Sequence, residues 1–245
     1  MDETTYPGLI KIGSRGQAVR RCQEWLSLRG LGLMVDGHFG QATKFAVEVF
    51  QRKHALPING RINRATFDSL ISPLIYTMMQ SGTSGSLRRK ILYYAKRHLR
   101  QHPREIGGQN RGPWVRFYMD GNEGPTWPWC AGFVSLVMEQ ACEELEIDMP
   151  ITPSVSCDYL AGSAKRNNRF VDTRRGDSLD GVRAGDLFLS RRTSTDWVHV
   201  GIVKKLNEFV MLTIEGNTND SGDREGYEVC QRIRSFKDKD FILMR

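Results

Sequence analysis

Four side chains have the types and order needed for acyl transfer: Cys130, His199, Glu215 and Asn217. Cys130 lies in Trp127-Pro128-Trp129-Cys130-Ala131-Gly132-Phe133-Val134, and from it Phe133, Val134, Val137, Met138 and Ala141 recur at spacings of three and four. That periodicity predicts a helix with one apolar stripe and the sulfur in its first turn. Unpaired backbone N–H groups and the positive end of the helix dipole favour a thiolate there, which makes the sulfur a nucleophile. For a cysteine taken alone, inert core packing is the better reading, so the chemistry depends on finding a base.

The base comes from two stretches rich in β-branched and aromatic residues, Trp197 to Val203 and Phe209 to Asn217, separated by a short polar break. They predict an antiparallel hairpin. A turn centred on Asn207 sets His199 directly opposite Glu215 and Trp197 opposite Asn217. Opposed residues share a face with Cβ atoms roughly 4.5–5.5 Å apart, within reach of an imidazole–carboxylate hydrogen bond. A turn shifted by one residue opposes His199 to Asn217 instead and leaves Glu215 diagonal. Both registers remain open, as does the choice of Glu215 or Asn217 to orient His199. In either, the sulfur attacks a carbonyl, His199 protonates the leaving amine, and water hydrolyses the thioester. The Cys130 N–H at the helix start is positioned to contribute to an oxyanion hole.

The 245 residues, 40% hydrophobic and 26% charged, suffice for two modest globular domains. Residues 1–75 read as short helices punctuated by glycine: one from a Ser14 cap to Gly30, one over Gln41 to Lys53 with Ala42, Phe45, Ala46, Val49 and Phe50 inward, and one capped by Asn63. The turn-plus-helix units Asp36-Gly37 to Ala42-Thr43 and Asn59-Gly60 to Ala65-Thr66 form a weak internal repeat. The expectation is a three-helix binding module. Residues 76–86, with Ser81-Gly82-Thr83-Ser84-Gly85-Ser86, read as a flexible linker. Residues 87–245 form the second domain. It opens with a basic amphipathic helix, Leu87 to Arg100, whose charges face mostly outward, and becomes irregular over Ile151 to Asp180. A strand over Asp186 to Ser190 then precedes the hairpin. The fold class is therefore α+β, with a small helical bundle and a domain built on an antiparallel sheet.

Composition narrows the function. Five scattered cysteines without C-x-x-C spacing argue against a disulfide framework. His98 and His102 lack the companions of a zinc site and read as surface residues, and Asp120, Asn122 and Glu123 read as a solvated turn, so no metal and no cofactor is expected. The net charge of +7 predicts attraction to polyanions such as envelope polymers. Nucleic-acid motifs are missing, which makes nucleic acid the weaker partner. No apolar run spans a bilayer, and Met1-Asp2-Glu3-Thr4 does not open a signal peptide. A monomer made in the cytoplasm, without stable membrane insertion, is the expectation.

Two resemblances sharpen this. Lys11-Ile12-Gly13-Ser14-Arg15-Gly16-Gln17-Ala18-Val19, Val35-Asp36-Gly37-His38-Phe39-Gly40-Gln41-Ala42-Thr43, Phe50-Gln51 and Thr66-Phe67 resemble the peptidoglycan-binding domain family. Trp129-Cys130-Ala131-Gly132-Phe133-Val134, His199-Val200-Gly201-Ile202-Val203 and Glu215-Gly216-Asn217 resemble the three motif blocks of the CHAP (cysteine, histidine-dependent amidohydrolase/peptidase) family, whose fold is papain-like. The second resemblance implies Cys130 as nucleophile, His199 as base, and Glu215 with Asn217 as polarising residues. Together they imply a modular, endolysin-like hydrolase cleaving an amide of peptidoglycan, as an N-acetylmuramoyl-L-alanine amidase or a cross-link endopeptidase, and reaching the wall after holin-type release. A wall-binding protein with a dead hydrolase domain, or a secreted antibacterial toxin using the same chemistry, would share these features.

Overall fold

A computed structural model describes residues 3–219 and 226–245. Met1 and Asp2, where the leader expectation began, lie outside them. The helices are α1 (Gln17–Leu28), α2 (Gln41–Lys53), α3 (Arg64–Leu70), α4 (Ser72–Met78), α5 (Leu87–Gln101), α6 (Pro113–Tyr118), α7 (Cys130–Leu145) and α8 (Cys157–Arg166). The strands are β1 (Phe170–Val171), β2 (Leu187–Arg191), β3 (Trp197–Leu206), β4 (Val210–Thr218), β5 (Glu228–Ser235) and β6 (Lys239–Ile242). The α+β class expected from the sequence is the class found. The chain divides into two compact units, residues 1–76 with 104–125, and residues 77–103 with 126–245.

In the first unit, two glutamines organise the turns that the repeat marked. Gln23 Nε2 donates to Asp36 Oδ1, the His38 carbonyl and Thr43 Oγ1, while its Oε1 accepts from Gly37 N. Gln51 treats the second turn alike: Nε2 donates to Asn59 Oδ1, the Arg61 carbonyl and Thr66 Oγ1, and Oε1 accepts from the N–H groups of Asn59 and Gly60. The repeated Ala-Thr is thereby explained, since each threonine hydroxyl accepts from its glutamine. These bonds also turn α2 away from the face expected of it. Thr43 and Gln51 are buried with Ala46, Val47 and Phe50, whereas Phe45 is 66% exposed.

Asn63 caps α3 as expected, its side chain accepting from Thr66 N at 2.9 Å. Ser14 does not cap α1; its hydroxyl accepts from Lys11 N, and Gly16 occupies the cap position. Residues 104–125 belong to this unit, although the sequence reading placed them in the second domain. Trp114 meets Trp25 edge to face, and buried Arg116 reaches Glu3 at 2.7 Å, Glu24 at 2.6 Å and Glu123 at 2.8 Å. Glu123 is therefore an ion-pair partner rather than part of a solvated turn. A buried guanidinium demands such pairing, because an uncompensated charge out of water costs several kcal/mol.

The second unit has an antiparallel sheet in the order β1-β6-β2-β3-β4-β5, with α7 packed on β3 and β4 and α5 on α7. Two expectations fail here, and a third holds for most of its residues. The segment after residue 150 is not wholly irregular: α8 forms with Ser156 as a side-chain cap accepting from Tyr159 N, and buries Cys157, Leu160, Ala161 and Ala164. The α5 charges do not all face outward, since Lys90 is buried against Glu144 at 2.7 Å and Arg97 is buried too. His98 is fully buried, bonded to Gln140 Oε1 at 3.1 Å, and burial pushes its imidazole down to about 4. Among the described residues no helix is long and apolar enough to cross a membrane.

Candidate functional site

Cys130 is the first residue of α7 and is 4% exposed, held there by an apolar face in which Phe133, Val134, Val137, Met138 and Ala141 are all buried. Beside it stands β3, which carries His199. The β3–β4 ladder pairs Ile202 with Ile214 and Val203 with Thr213, and a bulge between Val203 and Lys205 shifts the pairs nearer the turn. This is the register of the shifted turn, and it ends in the pair Ile202–Ile214, beyond which Gly201 faces the Glu215 side chain. The carboxylate nevertheless reaches the ring diagonally, with His199 Nε2 and Glu215 Oε2 2.8 Å apart.

Gly201 explains how. A Cβ at that position would lie 2.7 Å from Glu215 Cγ and 2.6 Å from Phe188 Cε1, so only glycine leaves room for the carboxylate to lean across. Gly216 plays the matching part against the helix, where a Cβ would lie 2.8 Å from Phe133 Cβ. Asn217 is buried beyond it with φ 55°, a left-handed conformation that asparagine tolerates better than most residues, at the register shift between Glu215 and Thr218.

Two further groups complete the arrangement. Arg234 on β5 grips Glu215 with two bonds, Nε to Oε1 at 2.9 Å and Nη2 to Oε2 at 2.6 Å, and the Thr213 hydroxyl donates to Oε1. Cys157, the first residue of α8, brings its sulfur to 3.8 Å from that of Cys130. The sequence reading found neither as a site residue. Arg234 is one of 35 basic residues, and Cys157 fell in the stretch read as irregular.

The electrostatics follow from these neighbours. The Cys157 thiol hydrogen bond, the charge of His199 and the Val200 backbone hold the Cys130 thiol well below its ordinary range, although burial opposes them. Burial disfavours a charged His199, but Cys130 and Glu215 outweigh it and raise the imidazole to about 9. Burial likewise opposes a charged Glu215, yet Arg234 and His199 bring its carboxyl down to about 2. With Nε2 engaged by Glu215, Nδ1 is the ring nitrogen left for the sulfur. These shifts favour a thiolate at Cys130 and a charged imidazole at His199, backed by an ionised Glu215, while the buried Nδ1 makes no hydrogen bond among the described residues that fixes the pair. Elsewhere, burial pushes the Cys22 thiol up to about 12. Among the described residues no group of three or more His, Cys, Asp or Glu side chains is placed to hold a metal ion.

Residues 15–70 match the family described as "Putative peptidoglycan binding domain". The chain carries an N-terminal peptidoglycan-binding domain. It is 39% identical over 69 residues to the zinc D-Ala-D-Ala carboxypeptidase of Streptomyces albus G, an overlap of 27% of each chain, so it spans about a quarter of that relative's length. Among solved structures it resembles the SleB N-terminal domain, at 31% identity over 28% of this chain and 96% of that one, with a TM-score of 0.27. It also resembles the Burkholderia AP3 phage endolysin, at 26% identity over 43% of this chain and 41% of that one, with a TM-score of 0.25. The peptidoglycan-binding domain thus falls in the first compact unit, and the Cys130–His199–Glu215 cluster in the second.

Proposed function

We propose that the protein is a peptidoglycan hydrolase of the endolysin type, in which the N-terminal domain holds the wall and the second unit cleaves an amide bond by cysteine chemistry. The observation that carries the reading is the 2.8 Å bond from His199 Nε2 to Glu215 Oε2, behind a thiolate-favouring Cys130 at the start of α7. The likeness of the three motif blocks to the CHAP family supports the same assignment, as does the partial likeness to cell-wall proteins.

Cys130 Sγ attacks the carbonyl carbon of the wall amide, and the carbonyl oxygen becomes an oxyanion near the N-terminal backbone of α7. The His199 imidazolium gives its proton to the departing nitrogen. His199, now neutral, takes a proton from water, which attacks the thioester carbonyl and releases free Cys130. Glu215 holds the ring in position through Nε2 and stabilises its positive charge, and Arg234 keeps that carboxylate ionised. Asn217 is proposed as a further polarising residue from its place next to the site.

Clearing of a suspension of purified walls tests the reading, with Cys130→Ala as comparison. Wild type that clears no faster than Cys130→Ala would falsify it. Mass spectrometry of the released fragments distinguishes a new L-alanine amine, the mark of an amidase, from an interpeptide amine, the mark of an endopeptidase.

A further inference from the structure

The sulfurs of Cys130 and Cys157 lie 3.8 Å apart, neither is in a disulfide, and each residue stands at the first position of a helix. Cys157 is held in place from two sides. The Ser135 hydroxyl on α7 donates to the Ser154 carbonyl at 2.8 Å and accepts from Ser154 N at 3.0 Å, which ties the approach to α8 onto α7. The next residue, Asp158, accepts from Trp197 N at 2.7 Å, which ties the start of α8 to β3. Two separate anchors therefore keep a second sulfur beside the first. The hydrolytic steps above do not consume it.

We propose that Cys130 and Cys157 form an oxidisable dithiol, a modification site that takes a hydroperoxide and closes into a disulfide. The Cys130 thiolate attacks one peroxide oxygen; the S–O bond forms, the O–O bond breaks, and the departing oxygen leaves as water or an alcohol after taking the His199 proton. The Cys157 sulfur then attacks the sulfenic sulfur; the S–S bond forms, the S–O bond breaks, and hydroxide leaves with the Cys157 proton as water. Two thiols lose two electrons and the peroxide gains them. Against a bond of about 2.05 Å, the sulfurs have roughly 1.8 Å to close, which is within the reach of side-chain rotation. Cys157 thus spares Cys130 from over-oxidation, at the cost of switching it off until a thiol reductant reopens the bond. The dithiol rests on geometry alone; the loss of lysis rests on the proposed function.

The test treats the full chain with hydrogen peroxide, alkylates the remaining thiols under denaturing conditions, and maps unreduced peptides by mass. The expected result is a mass lower by about 2 Da, a linked Cys130–Cys157 peptide, and reversal by dithiothreitol. Wall clearing is lost with the link and returns on reduction. In Cys157→Ala, Cys130 is expected to gain about 32 Da as the sulfinic acid, which dithiothreitol does not reverse. Wild type in which Cys130 gains that mass while Cys157 stays alkylatable overturns the proposal, as does a Cys157→Ala protein as reversible as wild type. The wild-type map needs no variant to fold. A linked peptide in a protein that clears no walls would sink the hydrolase reading and leave the dithiol standing.

Discussion

Both units bury polar side chains, but they use them differently. In the first, Gln23 and Gln51 are neutral hubs whose donors and acceptors are spent on turn backbone and threonine hydroxyls, and Arg116 is matched by three carboxylates. In the second, His199, Glu215 and Arg234 are joined by hydrogen bonds beside Cys130, and their neighbours shift the ionisation of Cys130, His199 and Glu215 towards alternating charge. A saturated hub fixes shape, because every bond it makes is lost if the turn moves. A coupled chain fixes protonation, because each member's charge depends on the next. Buried polarity alone therefore does not separate the two units; groups displaced from their ordinary ionisation beside a candidate nucleophile do.

That contrast can be broken experimentally, most severely at Cys130. Cys130→Ala should lower wall clearing by about 10³-fold or more while leaving wall binding and unfolding unchanged, read by turbidity, pelleting and urea titration. A large loss of stability would place Cys130 with the structural groups instead. His199→Ala should also lower clearing strongly, and it should change the alkylation profile of Cys130. In wild type, iodoacetamide should react with that thiol at pH values well below the ordinary cysteine range, and in the variant the profile should move up towards it. A profile indifferent to His199 would dissolve the proposed ion pair.

Gln51→Ala tests the other side. It strands two backbone donors and a threonine hydroxyl, and should cost about 2–4 kcal/mol in urea unfolding of the full chain, with no change in the alkylation rate of Cys130. A changed rate would mean that the glutamine hub reaches the chemistry. The smallest expected effect is at Arg234. The Glu215 carboxylate, brought to about 2, contributes stability above its ordinary value of 4.5 that is lost as the pH falls towards about 2. Arg234→Gln raises the folded value and narrows that window, so the acid limb of clearing and of stability should move to higher pH. The raised His199 works in the opposite direction. Its charge stabilises the fold fully below 6.5, and that contribution fades as the pH rises through about 9, so the alkaline limb should stay in place in Arg234→Gln.

Much of this arrangement was legible in the chain. The α7 stripe and the β3–β4 pair carry strong periodicities, and the order of cysteine, histidine and glutamate placed three of the clustered side chains. What escaped depends on contacts between distant segments. The hairpin register turned on a bulge near Lys204, and no local preference marks one extra residue. β5 carried no expectation, because Gln231, Arg232 and Arg234 give it little apolar alternation, although Arg234 turns inward onto Glu215. α8 was missed because its buried face is built from Cys157, Leu160, Ala161 and Ala164, mostly small residues that give a weak stripe. Its Ser156 cap was the available signal. Burial of Lys90, Arg97 and His98 followed from partners that no window of α5 contains.

The contact of Gly216 with Phe133 also acts as a spacer gauge. β4 approaches α7 where a single added carbon would sit 2.8 Å from Phe133 Cβ and 2.9 Å from the Trp129 ring, one residue from Glu215 and three from Cys130. The gap between the helix that carries the sulfur and the strand that carries the carboxylate is therefore set by the absence of an atom. A methyl group there should act as a shim, prising apart the two elements that hold the proposed nucleophile and the carboxylate behind its base.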